Sequence, residues 1–533
     1  MNFQERIRSR VLHAPTLPLQ GYGIHTFDSG MVTILASRQE SCGKLLGIPH
    51  GVPAVIRCLQ SNFQEAAMAM NPEFRIGYFG DIRREAAGAF VFERVVTTGS
   101  LKIREIGGDR AGEMSAHRFL GSPQVTYQEI LRTTASRTVL ACARRRIVVA
   151  QDTTEINFSG RDRRRPGLGP AGDGKSLGFF CHAAVSIDAD DESLLGVAHA
   201  QIWTRSGKPQ KSRRSREIEK KESIRWIKAT AAAAKLLSEA EQVIVVGDRE
   251  FDIYPQFVRR PPQVELVLRV AQNRRLTDGE LLFDAPSHWR EFGTMDIRVA
   301  PTRAGDPGRD ARVTVKAGRV RVCKPRHGSP ADPSEVTLTY VEVSEIDPPK
   351  RDKAIIWRLF TTLPVVGEAD EFAAAREIVR LYRLRWRIEQ VFRAMKSDGL
   401  QIEETQVQHA HRLFNLTAIA LVGAARIIQL VDARDGSPRP ATDVADDNLI
   451  EAAKVIGPSL EGKTPRQKNP YEIGSLAWLA WIVARLGGWN CYYKPPGPKT
   501  MRVGWNKFAA MAAGYAFSMT QKAHLLANAL ENA

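Results

Sequence analysis

The sequence predicts an α/β chain built on a mixed β-sheet, and three features lead to that expectation. Arg145–Phe158, Leu177–Ile187 and Leu194–Thr204 read as successive strands, rich in β-branched and aromatic residues, the last two joined through the acidic turn Asp188–Glu192. Ser215–Ala240 then changes to a helical period, with Ile224, Ile227, Ala231 and Ala234 on one face. After it, Gln242–Val246 is a short apolar strand ending on Gly247-Asp248, as expected for a strand reached through a helical crossover.

Strand, strand, strand, helix, strand, with antiparallel hairpins before the crossover, is the ribonuclease H-like arrangement. Around it the chain divides by pattern. Residues 1–76 are rich in Gly, Pro and Ser without sustained periodicity, and read as a poorly patterned or disordered extension, with Met68 or Met70 as the expected true start. Residues 77–140 read as a small helical subdomain, with Asp81 and Thr126 as helix caps. Residues 141–259 form the first part of the core. Residues 260–350 alternate in period two, as in Val264–Val270, Arg312–Lys316 and Val336–Val343, and read as a β-rich insertion. Residues 351–434 hold the second part of the core, with a strand at Ala354–Thr361 and one long helix at Glu371–Ser397. A polar linker at Asp435–Asp447 precedes a helical region, 448–533, which has a Pro-rich break at Pro495–Lys499.

Composition narrows the partner. A hydrophobic fraction of 43% and a charged fraction of 25% are ordinary for a globular protein. The balance of 76 Lys and Arg against 59 Asp and Glu, a net charge of +17, is not ordinary and points to an anionic partner. Nucleic acid leads, because each neutralised phosphate adds salt-sensitive affinity. The 6 cysteines, at 42, 58, 142, 181, 323 and 491, form no C-x-x-C pair and read as reduced cytosolic thiols. The longest apolar stretch, Leu413–Ala425, contains Asn415 and stops at Arg426, so it reads as a buried helix and not a membrane span. The N-terminus lacks the apolar core and cleavage site of a signal peptide.

The chemistry is expected at three carboxylates. Asp152 lies in the first strand and Asp248 just beyond the fourth, and in this arrangement those strands are neighbours. A third acid should come from a helix. On Glu371–Ser397, the residues Tyr382, Arg385, Glu389 and Lys396 fall at about 0°, 300°, 340° and 320° on a wheel of 100° per residue. One acid among Tyr, Arg and Lys is odd for a core face and suits a metal ligand beside phosphate clamps. In-line attack on a phosphodiester needs a polarised phosphorus, an activated nucleophile and a stabilised leaving oxygen, and two Mg²⁺ ions supply all three. Mg²⁺ takes hard oxygen ligands and keeps several waters, so a few carboxylates suffice, with Mn²⁺ as the alternative ion. Each acid alone has a plainer reading: a strand-end Asp capping a turn, or Glu389 pairing with Arg385 one turn away.

A family resemblance joins these residues. Tyr382-Arg-Leu-Arg-Trp-Arg-Ile-Glu-Gln-Val-Phe-Arg-Ala-Met-Lys396 resembles the Tyr-x2-Arg-x3-Glu-x6-Lys signature of bacterial insertion-sequence DDE transposases, a family that includes the transposases of kanamycin-resistance composite transposons. Gln151-Asp-Thr-Thr154 resembles the family's first-Asp segment and Gly247-Asp-Arg-Glu-Phe-Asp252 its second. Lys221-Glu-Ser223, Trp226, Ser475-Leu-Ala-Trp478 and Ala484-Arg-Leu-Gly-Gly488 extend the likeness across about residues 78–520. The resemblance implies cut-and-paste transposition. The enzyme would nick at the element end, join the 3′-hydroxyl across to form a hairpin, open it, and insert the element into target DNA. It further implies Asp152, Asp248 and Glu389 as catalytic metal ligands, and Tyr382, Arg385 and Lys396 as phosphate contacts. Trp357 would be the aromatic that stacks on a flipped base. Residues 77–140, with Arg83 and Arg84, would bind terminal inverted repeats, although Ala87 stands where the family pattern carries a further Arg. The C-terminal helices would form a homodimer, and the protein would work in the bacterial cytoplasm on nucleoid DNA, without a membrane or a nucleotide cofactor.

Three other readings compete. Gly169-Pro-Ala-Gly-Asp-Gly-Lys-Ser176 fits the phosphate-loop pattern in every position, but it follows a basic, Pro-containing stretch and opens onto strand-like Leu177–Ile187, whereas a phosphate loop opens a helix. Lys175 and Arg163–Arg165 are expected instead to form a flexible DNA-facing loop. A catalytically inactive DNA-binding inhibitor of transposition and a related ribonuclease H-like nuclease also remain open. His182 and His199 lack ligand spacing and read as ordinary strand residues, and Trp478, Trp481 and Trp489 as packing or dimer contacts.

Overall fold

The computed structural model describes residues 76–158, 165–172, 174, 176–205, 216–299, 308–349, 354–397 and 399–531, with side chains to 522. The expectations for the N-terminal extension, for Arg163, Arg164 and Lys175 lie outside the described residues. Helices α1 (Ile82–Thr98), α2 (Ile103–Gly107), α3 (Arg110–Gly121) and α4 (Tyr127–Cys142) lead into strands β1 (Arg146–Phe158), β2 (Gly169–Ala171), β3 (Ser176–Asp188) and β4 (Leu194–Trp203). Helix α5 (Ile224–Leu236) crosses to β5 (Gln242–Gly247), followed by α6 (Tyr254–Val258) and β6 (Val264–Arg269). Strands β7 (Glu291–Val299), β8 (Arg309–Cys323) and β9 (Glu335–Glu345) precede β10 (Ile356–Thr361). The rest is helical: α7 (Glu371–Arg383), α8 (Trp386–Lys396), α9 (Ala410–Ala433), α10 (Asp447–Ser459), α11 (Leu476–Leu486) and α12 (Pro498–Glu531).

Local chemistry sets these ends. Asp81 accepts a hydrogen bond from the Arg83 N–H at the start of α1, and Thr126 accepts one from the Glu129 N–H at the start of α4, so both expected caps form. Gly99, at φ 58°, closes α1 in the left-handed conformation that glycine adopts without strain.

The strands make one mixed sheet. β1 pairs antiparallel with β3, and β3 with β4, whereas β1–β5 and β5–β6 are parallel. The order β4-β3-β1-β5-β6 is consistent with the ribonuclease H-like core expected from the sequence. Antiparallel pairing then continues through β10, β9, β8 and β7. Side chains alternate between two apolar cores. Val148, Ala150, Ile244, Val246, Val267 and Leu359 point to one face, packed with α7, α8 and α9. Ile147, Val149, Val243, Val245, Leu266 and Phe360 point to the other, beneath α5 and α6.

Some boundaries differ from expectation, for physical reasons. Val264–Arg269 belongs to the central sheet and not to the insertion. Its Val264, Leu266, Val267 and Leu268 are buried on both faces, which an alternating pattern disguises. The helix expected at Ser215–Ala240 spans only Ile224–Leu236 among the described residues. The helix expected over Glu371–Ser397 breaks at Leu384–Arg385, where the Arg385 N–H bonds the Tyr382 carbonyl and the Ile388 N–H the Arg385 carbonyl, the tighter i→i+3 spacing. The phosphate-loop pattern forms a β2–β3 hairpin, so Ser176 opens a strand with no helix N-terminus behind it. Arg165, the described member of the expected DNA-facing loop, lays its guanidinium over the Phe158 ring and donates to the Thr405 and Val407 carbonyls. Helix α9 has the length and composition to cross a bilayer, yet 83% of its most apolar window is buried inside the fold.

The turn after β5 is held firmly. A Cβ on Gly247 would lie 2.4 Å from the Phe251 ring, so glycine lets the chain fold back directly beneath Asp248. Four residues on, fully buried Asp252 accepts hydrogen bonds from the Ala271 and Gln272 N–H groups, at 2.8 and 3.0 Å, and from the Arg274 guanidinium. This ties the end of β5 to the end of β6. Arg274→Ala would leave the Asp252 charge buried with its counter-ion removed, and should destabilise the protein by about 3 kcal/mol in denaturant unfolding. A change below about 1 kcal/mol would show that the clamp is not needed.

Candidate active site

Register places the first two acids. Ala150 pairs with Val246 in the parallel β1–β5 ladder, so Asp152 and Asp248, each two residues further, reach the same level and the same face. That face is the one covered by α7 and α8. Asp152 accepts from its own neighbour, the Thr153 N–H, through Oδ1 at 2.7 Å. Asp248 Oδ1 accepts from the Glu250 N–H at 2.8 Å, so this aspartate also caps the turn that follows it.

The helix break brings in the rest. Arg385 sits at the tightened turn between α7 and α8, and its guanidinium donates through Nη1 to Asp152 Oδ2 at 3.1 Å and through Nη2 to Glu389 Oε1. The side chains of Asp152, Arg385 and Glu389 are 20%, 16% and 30% exposed, so the bridge is largely shielded from water. Burial, and then the charge on Asp248, push the Asp152 carboxyl up to about 7; Arg385 opposes the shift and Glu389 adds to it. The bridging guanidinium only partly offsets the burial and the neighbouring charge.

The other expected residues divide. Tyr382 is buried and packs edge-on to Trp357, with ring centroids 5.9 Å apart at 65°. Trp357 lies on the same sheet face as the acids, one pleat beyond Leu359, which pairs with Arg269. Lys396 is on the same helix as Glu389 but reaches β1 further along, donating to the Glu155 carbonyl at 2.6 Å and pairing with Glu403 Oε1 at 3.1 Å. Arg83 and Arg84 are not brought to the acids. They lie in the first turn of α1, which packs mainly on α2, α3, α9 and α12, and the Arg84 guanidinium donates to the Phe79 carbonyl.

Two residues escaped the sequence reading. Arg269 follows Leu268, which pairs with Gly247, so it stands level with Asp248 on the same face, between the acids and Trp357. Its Nη2 donates to the Ile356 carbonyl at 3.3 Å. Assigning its strand to the insertion hid it; a charged residue closing an apolar run was the available signal. Glu403, which accepts from the Asn157 N–H at 3.0 Å and binds Lys396, had no sequence signal.

Asp152, Asp248 and Glu389 offer the hard oxygen donors that Mg²⁺ or Mn²⁺ takes. Among the described residues no three acids, histidines or cysteines already stand close enough to hold an ion. Arg385 instead lies between two of the three, so three carboxylates share one bridging guanidinium, a donor set that fits a cationic occupant.

The raised Asp152 carboxyl has a measurable consequence in metal-free protein. Folded, it keeps its proton to about pH 7, whereas an unfolded Asp releases it near pH 4. Its contribution to stability is therefore complete below about pH 4 and is lost as pH rises through about 7. The melting temperature should fall between about pH 4 and 7, and Asp152→Asn should flatten that slope. An unchanged slope in the variant would mean that this carboxyl is not strained.

Residues 227–422 match the family model described as the transposase DDE domain, a span that contains Asp248, Arg385 and Glu389 and begins beyond Asp152, and this match supports a DNA transposase of the DDE type.

Proposed function

We propose that the protein is a cut-and-paste transposase of an insertion sequence, with Asp152, Asp248 and Glu389 as its catalytic metal ligands. The observation that carries this reading is the Arg385 bridge: Asp152 on the sheet face and Glu389 on the helix over it, far apart in sequence, are held together by one cation, with Asp248 level with Asp152. Bound divalent ions would polarise the scissile phosphate, activate the attacking water or 3′-hydroxyl and stabilise the leaving oxygen.

The chain's own residues then have distinct tasks. The acids hold the cations. Arg385, once it no longer neutralises Asp152 and Glu389, presents a planar fork of donors to a backbone phosphate. Arg269 and Lys396 add positive charge on either side of the acids. Tyr382 steadies Trp357, whose exposed part supplies a surface for a base turned out of the helix, as a hairpin intermediate at the element end requires. Residues 77–140, with Arg83 and Arg84, would hold the terminal inverted repeats, and the C-terminal helices would pair two copies of the chain. The net charge of +17 suits both end and target DNA.

Cleavage of the element's own ends with Mg²⁺ tests this reading. Asp152→Asn, Asp248→Asn and Glu389→Gln should each abolish strand cleavage while end binding, steeply salt-dependent, persists. A variant that cleaves like the wild type removes its residue from the ligand set. Trp357→Ala should spare the first nick and slow hairpin formation roughly tenfold, with Trp357→Phe retaining most of the rate, since one base–aromatic stack is worth about 1–3 kcal/mol. Equal slowing of nicking and hairpin formation on a sequencing gel would refute the stacking role.

A further inference from the structure

Behind Asp152, on the opposite face of β1, lies a buried polar cluster with no part in the chemistry above. Strand alternation sends Gln151 and Thr153 to the face covered by α5, while Asp152 points to the other. Thr153 is the cross-strand partner of His182, and Thr153 Oγ1 lies 2.9 Å from His182 Nδ1. His182 is fully buried, its ring edge-on to Trp226 with centroids 4.5 Å apart. Its Nε2 is 3.4 Å from the Gln151 side-chain amide. That amide is best satisfied with its oxygen toward the Thr230 N–H, at 3.1 Å, and its nitrogen toward the Trp226 carbonyl, at 3.2 Å. In this orientation the amide N–H also faces His182 Nε2, which accepts, and the His182 Nδ1–H donates to Thr153 Oγ1.

An imidazole in this setting needs explaining. Trp226 beside it, and Ala184 two residues along β3 on the same face, belong to the apolar core beneath α5. A buried polar ring costs free energy unless both nitrogens find partners, and an apolar ring would fill the space without that demand. The ring is permanently neutral at working pH: burial, then His199 and Arg225, hold its pKa down to about 3. It is therefore neither an acid–base group nor a charge for the acids on the other face.

Its reach to the site is short. Thr153, held by its hydroxyl, presents its N–H to Asp152 Oδ1 at 2.7 Å. Gln151, on the other side of Asp152, is held to α5 through Thr230, whose hydroxyl also donates to the Trp226 carbonyl at 3.0 Å and accepts from Gln256 Nε2 at 3.0 Å. We propose that His182 is a positioning residue for Asp152: by fixing Thr153 and Gln151 it sets the pleat of β1 at residue 152 and aims the carboxylate toward Asp248 and Glu389. The inference rests on the reading of Asp152 as a catalytic ligand. Outer groups that orient a ligand typically change metal affinity or activity by about 10–100-fold when removed.

The test uses the full chain and four variants. His182→Phe keeps the ring volume and removes both polar contacts; His182→Asn places an amide N–H near the Nδ1 position. Thr153→Val removes the hydroxyl at constant shape; Thr153→Ser keeps it. Mn²⁺ affinity of DNA-free protein, followed by electron paramagnetic resonance, is measured with single-turnover end cleavage, end binding and melting temperature. His182→Phe and Thr153→Val should weaken Mn²⁺ binding and slow cleavage by at least about tenfold with end binding intact, and His182→Asn and Thr153→Ser should recover most of both. Wild-type Mn²⁺ affinity and cleavage in His182→Phe or Thr153→Val would overturn the inference, as would a Thr153→Ser variant as impaired as Thr153→Val. If His182→Phe does not fold, the Thr153 pair decides. Asp152→Asn separates the two levels. If it still cleaves, the catalytic reading falls; if it is inactive while the His182 and Thr153 variants behave as wild type, only the positioning role falls.

Discussion

The parallel register of β1 and β5 brings Asp152 and Asp248 to one level on one face of the sheet, and Glu389 is added from a helix lying over that face. Acids gathered in this way repel one another wherever water is partly excluded. The surrounding structure can be understood as a response to that constraint. The break between α7 and α8 sets Arg385 against Asp152 and Glu389 together. The Asp252–Arg274 clamp fixes the turn that carries Asp248. The polar cluster around His182 backs Asp152 from the far side of the sheet. Even so, burial and the charge on Asp248 push the Asp152 carboxyl up to about 7.

Under the proposed function Arg385 would have two partners at different times. A guanidinium between two carboxylates is a soft substitute for a divalent ion: it satisfies their lone pairs and part of their charge without demanding octahedral geometry. Its planar fork suits a phosphate equally well. Arrival of cations and of DNA would therefore favour the same rearrangement, releasing the acids to the metal and the arginine to the backbone.

Much of this was legible in the sequence, and the reasons differ by element. The core strand order could be read because β1, β3 and β4 carry clear β-branched runs and α5 a clear helical period. The stripe of Tyr382, Arg385, Glu389 and Lys396 could be read from spacing, although a single unbroken helix was the wrong carrier: the three-residue hydrogen bonds at Leu384–Arg385 depend on tertiary packing, which spacing does not report. Lys396 was placed with the acids by the wheel, yet it bonds to Glu155 and Glu403, because an angle on a helix does not give distance along it. Arg269 was hidden by assigning β6 to the insertion. Lys221-Glu-Ser223 and Trp226 stood out without a physical role. In the structure Glu222 holds the Arg205 guanidinium at 2.9 and 2.7 Å, and Trp226 walls the His182 ring. His182 itself read as an ordinary strand residue, since a buried histidine shows its partners only once cross-strand register is known.

The central claim is that the three carboxylates form one cation site. Iron-directed backbone cleavage tests it most directly: Fe²⁺ substituted for Mg²⁺, with peroxide and ascorbate, cuts the chain next to the bound ion. The account predicts cuts clustered around residues 152, 248 and 389, suppressed by excess Mg²⁺. Cuts confined to other segments, or cuts near one acid alone that Mg²⁺ does not suppress, would contradict it.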